Sequence, residues 1–257
     1  MPLNPTHAVI VDCYQGNGQW FPETATQRVD ALIAQVSRGL HVDTEFRRSH
    51  DTCVLRGTPF MAYNQYVAVF EWKKQADLIL ELIVGLNVKK LWWAYDSAGL
   101  NAGKLNKTTA IASMNGVKYL KANFGKVGFY GNRNDIAQLY KDAPEARNED
   151  LWLARYPLSQ FWWNNVTDPR PENAPPKWTT DIWKHQMWQF ASEGNWLGKT
   201  AGHAYGFPNS WSVDINVWDG TPEQMRAELG AVNIPIPPTD KEKLELVYSW
   251  YLEEHRN

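Results

Sequence analysis

The chain has little with which to build a disulfide scaffold or a metal centre. Cysteine occurs twice, at Cys13 and Cys53, and two thiols do not make a disulfide framework. Cys13 follows Asp12, where it either faces a site or is a buried, inert thiol, the second being the ordinary reading. The histidines (His7, His41, His50, His185, His203 and His255) show no HxxxH or HxH spacing. No metal site and no cofactor are therefore expected. No apolar run approaches the ~20 residues that a membrane span requires. The opening segment, MPLNPTHAVIVD, lacks the basic stretch and apolar stretch of a secretory signal. The expectation is synthesis in a cytoplasm without a signal peptide and without a membrane span. Charge of one sign is scarce too. The net charge is -2 with both signs mixed, and Lys and Arg gather on no segment, so no nucleic-acid partner is expected. There is no internal repeat and no low-complexity tract.

What the chain does have is length and aromatic rings. Its 257 residues allow one large α/β domain or two small ones, with a well-buried core either way. Fourteen tryptophans and eleven tyrosines exceed what a core of this size needs. They serve heavy core packing or stacking against the C–H faces of sugar rings.

Short β-rich runs alternate with helical patterns, as in parallel βα units. The strands expected are HAVIVD (7–12), ALIAQVS (31–37), FMAYNQYVAVF (60–70), LWWAYD (91–96), KVGFYG (126–131) and DLWLARY (150–156). Helical spacing covers 43–56, 71–86, 108–123 and 133–141, although periodicity alone leaves a helix open for 31–37. Residues 157–183 break the rhythm with five prolines and four tryptophans, a long irregular segment of the functional kind. HQMWQFA (185–191) and SWSVDINVW (210–218) close the series without a helix between them. The fold class expected is α/β: about five βα units followed by three strands. Beyond a barrel of residues 1–220, residues 221–257 form a helical extension. Thr221 and Pro222 start a short helix. An amphipathic helix at 239–255 packs back on the barrel or docks to a partner.

Three aspartates each close a strand-like apolar run. Asp12 ends VIVD, Asp96 ends LWWAYD, and Asp214 lies in SWSVDINVW. Carboxylates at strand ends far apart in sequence point to one shared site at a barrel mouth. Carboxylates flanking a scissile bond are the mark of glycoside hydrolysis, and crowding pushes their pKa values apart. An Asp at a strand end is also a common loop cap.

Six motifs, in order over residues 7–220, resemble the glycoside hydrolase family 25 lysozymes, the Chalaropsis-type N-acetylmuramidases. They are VIVDCYQG, VDTEFRRSHDTCVLRGTPFMAYNQY (42–66), KVGFYG, DLWLARY, MWQFAS (187–192) and SVDINVWDG (212–220). The resemblance implies a TIM-like flattened barrel, and cleavage of the β-1,4 bond after N-acetylmuramic acid in peptidoglycan. It assigns the acidic set to Asp12, Asp96 and Asp214. It places Tyr63, Asn64, Tyr130, Arg155, Trp188 and Gln189 on the substrate side of the cleft. With no signal peptide, it implies a phage lysin released to the cell wall by another protein, or a component carried in a virion. In the virion case the segment 239–255 is a candidate contact for a virion or oligomer partner.

The chain departs from the family at two positions. The family's Asp-x-Glu carries the general acid, and here the segment is Asp96-Ser97-Ala98. Loss of a general acid commonly costs ~10²–10⁴-fold. Asn64 stands where the family often has His. Either another carboxylate, such as Glu71 or Glu193, supplies the proton, or the protein binds glycan without cutting it.

Overall fold

The computed structural model describes residues 7–13, 29–97, 105–156, 185–191 and 214–230. The strands are β1 (Val9–Cys13), β2 (Ala31–Arg38), β3 (His41–Val42), β4 (Phe60–Gln65), β5 (Leu91–Ala94), β6 (Val127–Asn132), β7 (Asp150–Ala154), β8 (Met187–Ala191) and β9 (Asp214–Trp218). The α-helices are α1 (Phe46–Arg56), α2 (Trp72–Ile83), α3 (Lys107–Asn123), α4 (Arg133–Asp142) and α5 (Pro222–Leu229), with a 3-10 turn at Pro144–Asn148. The sheet runs β1-β9-β8-β7-β6-β5-β4-β2, and β1 also pairs with β2, so eight strands close into a barrel. The two-residue β3 hangs antiparallel on β2. All barrel pairings are parallel except the two made by β9, which runs antiparallel to both β8 and β1. The α/β barrel expected from the sequence is the architecture observed.

Strand alternation sorts the side chains into two layers. Ala8, Ile10, Ile33, Met61, Trp92, Trp152, Met187 and Trp218 fill the barrel interior. Val9, Val11, Leu32, Trp93, Leu151, Leu153 and Val217 pack outward against Ile79, Val117, Leu120, Ile136 and Leu139 of the helices. Adjacent tryptophans therefore serve opposite layers: Trp92 points in and Trp93 points out. Trp92 has room because Gly128, its register partner on β6, has no side chain. A Cβ there would lie 2.6 Å from the Trp92 ring. Truncating one such buried tryptophan to alanine costs about 3–5 kcal/mol.

Several strand ends differ from the sequence expectation. The run FMAYNQYVAVF stops being strand at Gln65. The following turn is held instead by Gln75 of α2, which accepts from the Val67 N–H (3.0 Å) and donates to the carbonyls of Val67 (3.1 Å) and Phe70 (3.0 Å). A side chain here does the work of a ladder partner. Thr221 caps α5 as expected, in a capping box with Gln224. That helix plugs the barrel floor: Met225 and Leu229 join the interior cluster with Trp92, Trp152 and Trp218. The first segment after residue 220 thus packs on the barrel, while 239–255 lies outside the described residues.

The floor also holds Lys90, buried at 2% exposure. Its ammonium pairs with Asp150 and Gln186 and lies 4.6 Å over the Trp92 ring. No described helix is long and apolar enough to cross a membrane.

Candidate active site at the barrel mouth

Asp12 and Asp214 are register partners across β1 and β9. Asp214 does not close its strand, as the sequence suggested; it opens β9. Because β9 runs against the other strands, its first residue reaches the end where the parallel strands finish. Reversed direction and reversed position cancel, and both carboxylates arrive at one mouth.

Gln189 of β8 joins them. Its Nε2 donates to Asp12 Oδ1 (3.1 Å) and to Asp214 Oδ2 (3.2 Å). Its Oε1 accepts from the hydroxyls of Tyr130 (2.9 Å) and Tyr156 (2.8 Å). The amide orientation follows from chemistry, since ionised carboxylates only accept. Asn216 adds a second donor to Asp12 Oδ1 (2.7 Å) and accepts from Trp152 Nε1 (2.8 Å). Asp12 is 5% exposed, whereas Asp96 and Asp214 are partly exposed.

Asp96 follows β5. Its carbonyl oxygen accepts from Gln65 Nε2 (3.3 Å) and its Oδ1 from Asn132 Nδ2 (3.3 Å). The next residue is tied down by Asp135 in the first turn of α4. Ser97 N–H donates to Asp135 Oδ2 (2.8 Å) and Ser97 Oγ to Asp135 Oδ1 (2.8 Å). The Asp96–Ser97 turn is thus positioned by a carboxylate from the neighbouring βα unit. Residue 98 lies outside the described residues, as does Glu193. Glu71 stands exposed before α2, 3.7 Å from Lys74.

Aromatic rings line the space below the carboxylates. Trp152 makes edge contacts with Tyr63 and Trp92, each at 5.9 Å, and a tilted contact with Tyr130 at 4.3 Å. Burial pushes the Tyr63 phenol well above its usual range, and Asp12 and Asp214 push it further. Burial does the same to Tyr130, helped by Tyr156, Asp96, Asp12 and Asp214. Tyr130 thus feels all three aspartates, and both phenols stay protonated donors at neutral pH.

Two residues expected on the substrate side turn the other way. Trp188 sits between Met187 and Gln189, which face inward, so alternation sends it into the outer layer. There its Nε1 donates to the Arg155 carbonyl (2.8 Å). Asn64 follows inward-facing Tyr63 and pairs with outward-facing Trp93, so it is buried between sheet and helices. Arg155 engages β8 through its backbone, its N–H donating to the Gln189 carbonyl (3.0 Å). It is the next residue, Tyr156, that reaches Gln189.

The sequence reading missed Trp152, Tyr156, Asn216, Asn132 and Asp135. It also passed over Asp43, a buried carboxylate whose Oδ1 accepts from the Glu45 N–H (2.9 Å) and whose charge reaches Tyr63 and Cys13. Among the described residues, no group of three His, Cys, Asp or Glu side chains could hold a metal ion.

No protein-family model matches the sequence, and no curated protein gives a significant match. Solved structures do. The glycosyl hydrolase 25 GHIP of Streptococcus pneumoniae superposes with a TM-score of 0.63 at 15% identity, over 86% of this chain and 92% of that one. The catalytic domain of endolysin ply40 from bacteriophage P40 of Listeria monocytogenes gives 0.59 at 16%, over 88% and 98%. The bacterial lysozyme of Streptomyces coelicolor gives 0.58 at 14%, over 89% and 100%. With its eight-stranded mixed barrel and its carboxylates at one mouth, the chain has the fold of the family 25 glycosyl hydrolases.

Proposed function

We propose that the barrel mouth binds the glycan strands of bacterial peptidoglycan, in the manner of a family 25 muramidase. The observation that carries this reading is the gathering of Asp12, Asp96 and Asp214 around Tyr130, above a floor of aromatic rings. Similar folds support it: one is an autolysin, LytC of Streptococcus pneumoniae, solved with a synthetic peptidoglycan ligand (17% identity, TM-score 0.58). This chain covers 46% of that one. Two others are endolysins, which favours a phage lysin or a virion component as the setting.

In this reading Asp214 and Asp96 face positive charge developing on the sugar, and Asp12 is the buried acceptor that fixes Gln189 and Asn216. Cleavage further requires a proton for the leaving oxygen. Alanine at position 98 has none to give, and Glu71 pairs with Lys74 on the surface. That observation favours a second reading, a glycan-binding relative that has lost hydrolysis.

Release of reducing ends from purified peptidoglycan separates the two. The proteins compared are the native chain, Asp96→Asn and Ala98→Glu. Cleavage by the native chain that Asp96→Asn abolishes establishes an enzyme with a substitute acid. A silent native chain with activity gained in Ala98→Glu establishes an intact but disarmed cleft. Silence from all three, with no glycan bound, sinks the proposal.

A further inference from the structure

β2 carries a bulge where it meets β4. Gln35 pairs with Tyr63, but Ser37 pairs with Asn64, so Val36 is the extra residue. Without the bulge, alternation from inward-facing Ile33 would turn Ser37 inward and Arg38 outward. The extra residue reverses this, and bulges beside active sites characteristically re-aim a side chain in this way. Arg38 now pairs with Gln65 and shares its face. Gln65 in turn donates to the carbonyl oxygen of Asp96 (3.3 Å). Arg38 is therefore the last residue of its strand, on the inner face of the mouth. Through Gln65 it stands level with Ala94, two strand spacings or about 10 Å away, and two residues short of Asp96.

Its charge is not spent within the described protein. Arg38 is mostly withdrawn from solvent, yet its buried Nη2 has no hydrogen-bond partner. A buried guanidinium nitrogen left unpaired is costly, and a planar fork of donors suits a carboxylate held by two parallel bonds. Among the described residues the mouth presents the carboxylates of Asp12, Asp96 and Asp214, which repel anions, so a cation at its edge selects for a ligand that is neutral at the bond and anionic beside it.

Building on the glycan reading above, we propose that Arg38 is a specificity residue that binds a carboxylate on the glycan, namely the free lactyl carboxylate of an N-acetylmuramic acid unit that carries no stem peptide, since the peptide joins the sugar through this carboxyl as a neutral amide. The bridge at Asp96 takes the neutral glycosidic link, and Arg38 takes the acid group that distinguishes this sugar from N-acetylglucosamine.

The test is calorimetric binding of three soluble tetrasaccharides. One alternates N-acetylglucosamine with N-acetylmuramic acid bearing free lactyl carboxylates. The second is the same glycan with those groups converted to primary amides. The third is chitotetraose, which has no acid group. The native protein should bind the free acid about tenfold more tightly than the amide, the scale of a charge-assisted hydrogen bond. Arg38→Gln should bind all three alike, which also shows that the variant is folded. Arg38→Lys should keep part of the preference, because it keeps the charge and loses the fork. Equal native affinities for acid and amide would overturn this inference and leave the glycan reading standing. So would an Arg38→Gln variant that still discriminates. A muropeptide that binds more tightly than the free acid, through Arg38, would move the contact to the peptide carboxylates and overturn the lactyl assignment. Failure of the native protein to bind any of the glycans would remove the glycan reading, and this inference with it.

Discussion

Asp12 and Asp214 stand opposite each other on antiparallel strands, and the single amide nitrogen of Gln189 donates to both. The same side chain takes two tyrosine hydroxyls on its other end. Gln189 is buried at 1% exposure, so it acts more as the internal tie of the site than as a surface for sugar.

Gln189→Leu should therefore cost stability as well as function. It strands two carboxylates and two hydroxyls, and a loss of about 2–4 kcal/mol is expected in urea unfolding. Gln189→Glu should be worse at neutral pH, because it places a third carboxylate against two. That glutamate would have a folded pKa above its unfolded value. Its penalty should shrink as pH falls through the folded value, so a defect that does not ease on acidification would contradict this account.

Asp135 holds the Asp96–Ser97 turn by accepting from the Ser97 amide and hydroxyl. Asp135→Asn should loosen that turn for about 1–2 kcal/mol. Hydrogen exchange is the direct readout. The Ser97 amide should exchange faster while amides in the middle of α4 keep their protection. Equal acceleration along α4 would mean that Asp135 serves the helix alone.

Lys90 and Asp150 form a lopsided pair, the ammonium side chain 3% exposed and the carboxylate side chain 49% exposed. Removing the buried member removes a desolvation cost, while removing the exposed member strands a buried charge. Lys90→Met should leave stability unchanged or raise it by about 1 kcal/mol, whereas Asp150→Ala should lower it by about 2–4 kcal/mol. In urea unfolding the Asp150→Ala midpoint should fall, while the Lys90→Met midpoint should not.

Alkaline pH should unfold the protein. Burial raises Tyr66 and Tyr140 to about 12, raises Tyr63 and Tyr130 well above their ordinary value of 10.0, and raises Cys13 and Cys53 well above 9.0. Each keeps its proton in the fold after the unfolded chain has lost it. Their stabilisation is complete below the unfolded pKa values and declines as pH rises, from about 9 for the thiols and about 10 for the phenols. Each such group steepens the decline by about 1.4 kcal/mol per pH unit. Lys90, lowered by burial, works against this up to 10.5, its ordinary value, but is outnumbered. Urea unfolding from pH 8 to 11, with tyrosinate absorbance followed in parallel, checks it. Phenol ionisation well before unfolding would contradict the burial of these rings.

The order of strands and helices was legible because the two leave different patterns. LWWA and VGFY are short apolar runs, and WKKQADLILELI repeats at helical spacing. Which face a strand residue occupies was not legible for MWQFA. Two large side chains, Met187 and Trp188, stand side by side, and only the register with β9 shows that Met187 and Gln189 share the inside. Trp188 was placed on the wrong side for that reason. Tyr156 has the parity of Trp152 and lies within the expected strand 150–156, but the resemblance pointed to its neighbour Arg155 instead. Asp135 reads locally as a helix-start acid. Its contact with Ser97 is made over 38 positions of sequence, and no local pattern announces such a bond. The β2 bulge belongs with these, since one extra residue in ALIAQVSR leaves no mark on composition.

The seating of α5 in the barrel floor fixes where Gly230 lies. Met225 and Leu229 are buried there, and Gly230 follows at the end opposite Asp12, Asp96 and Asp214. A tether joined at Gly230 would hold the barrel by its base. Immobilised on a bead in that orientation, the barrel would present its mouth outward.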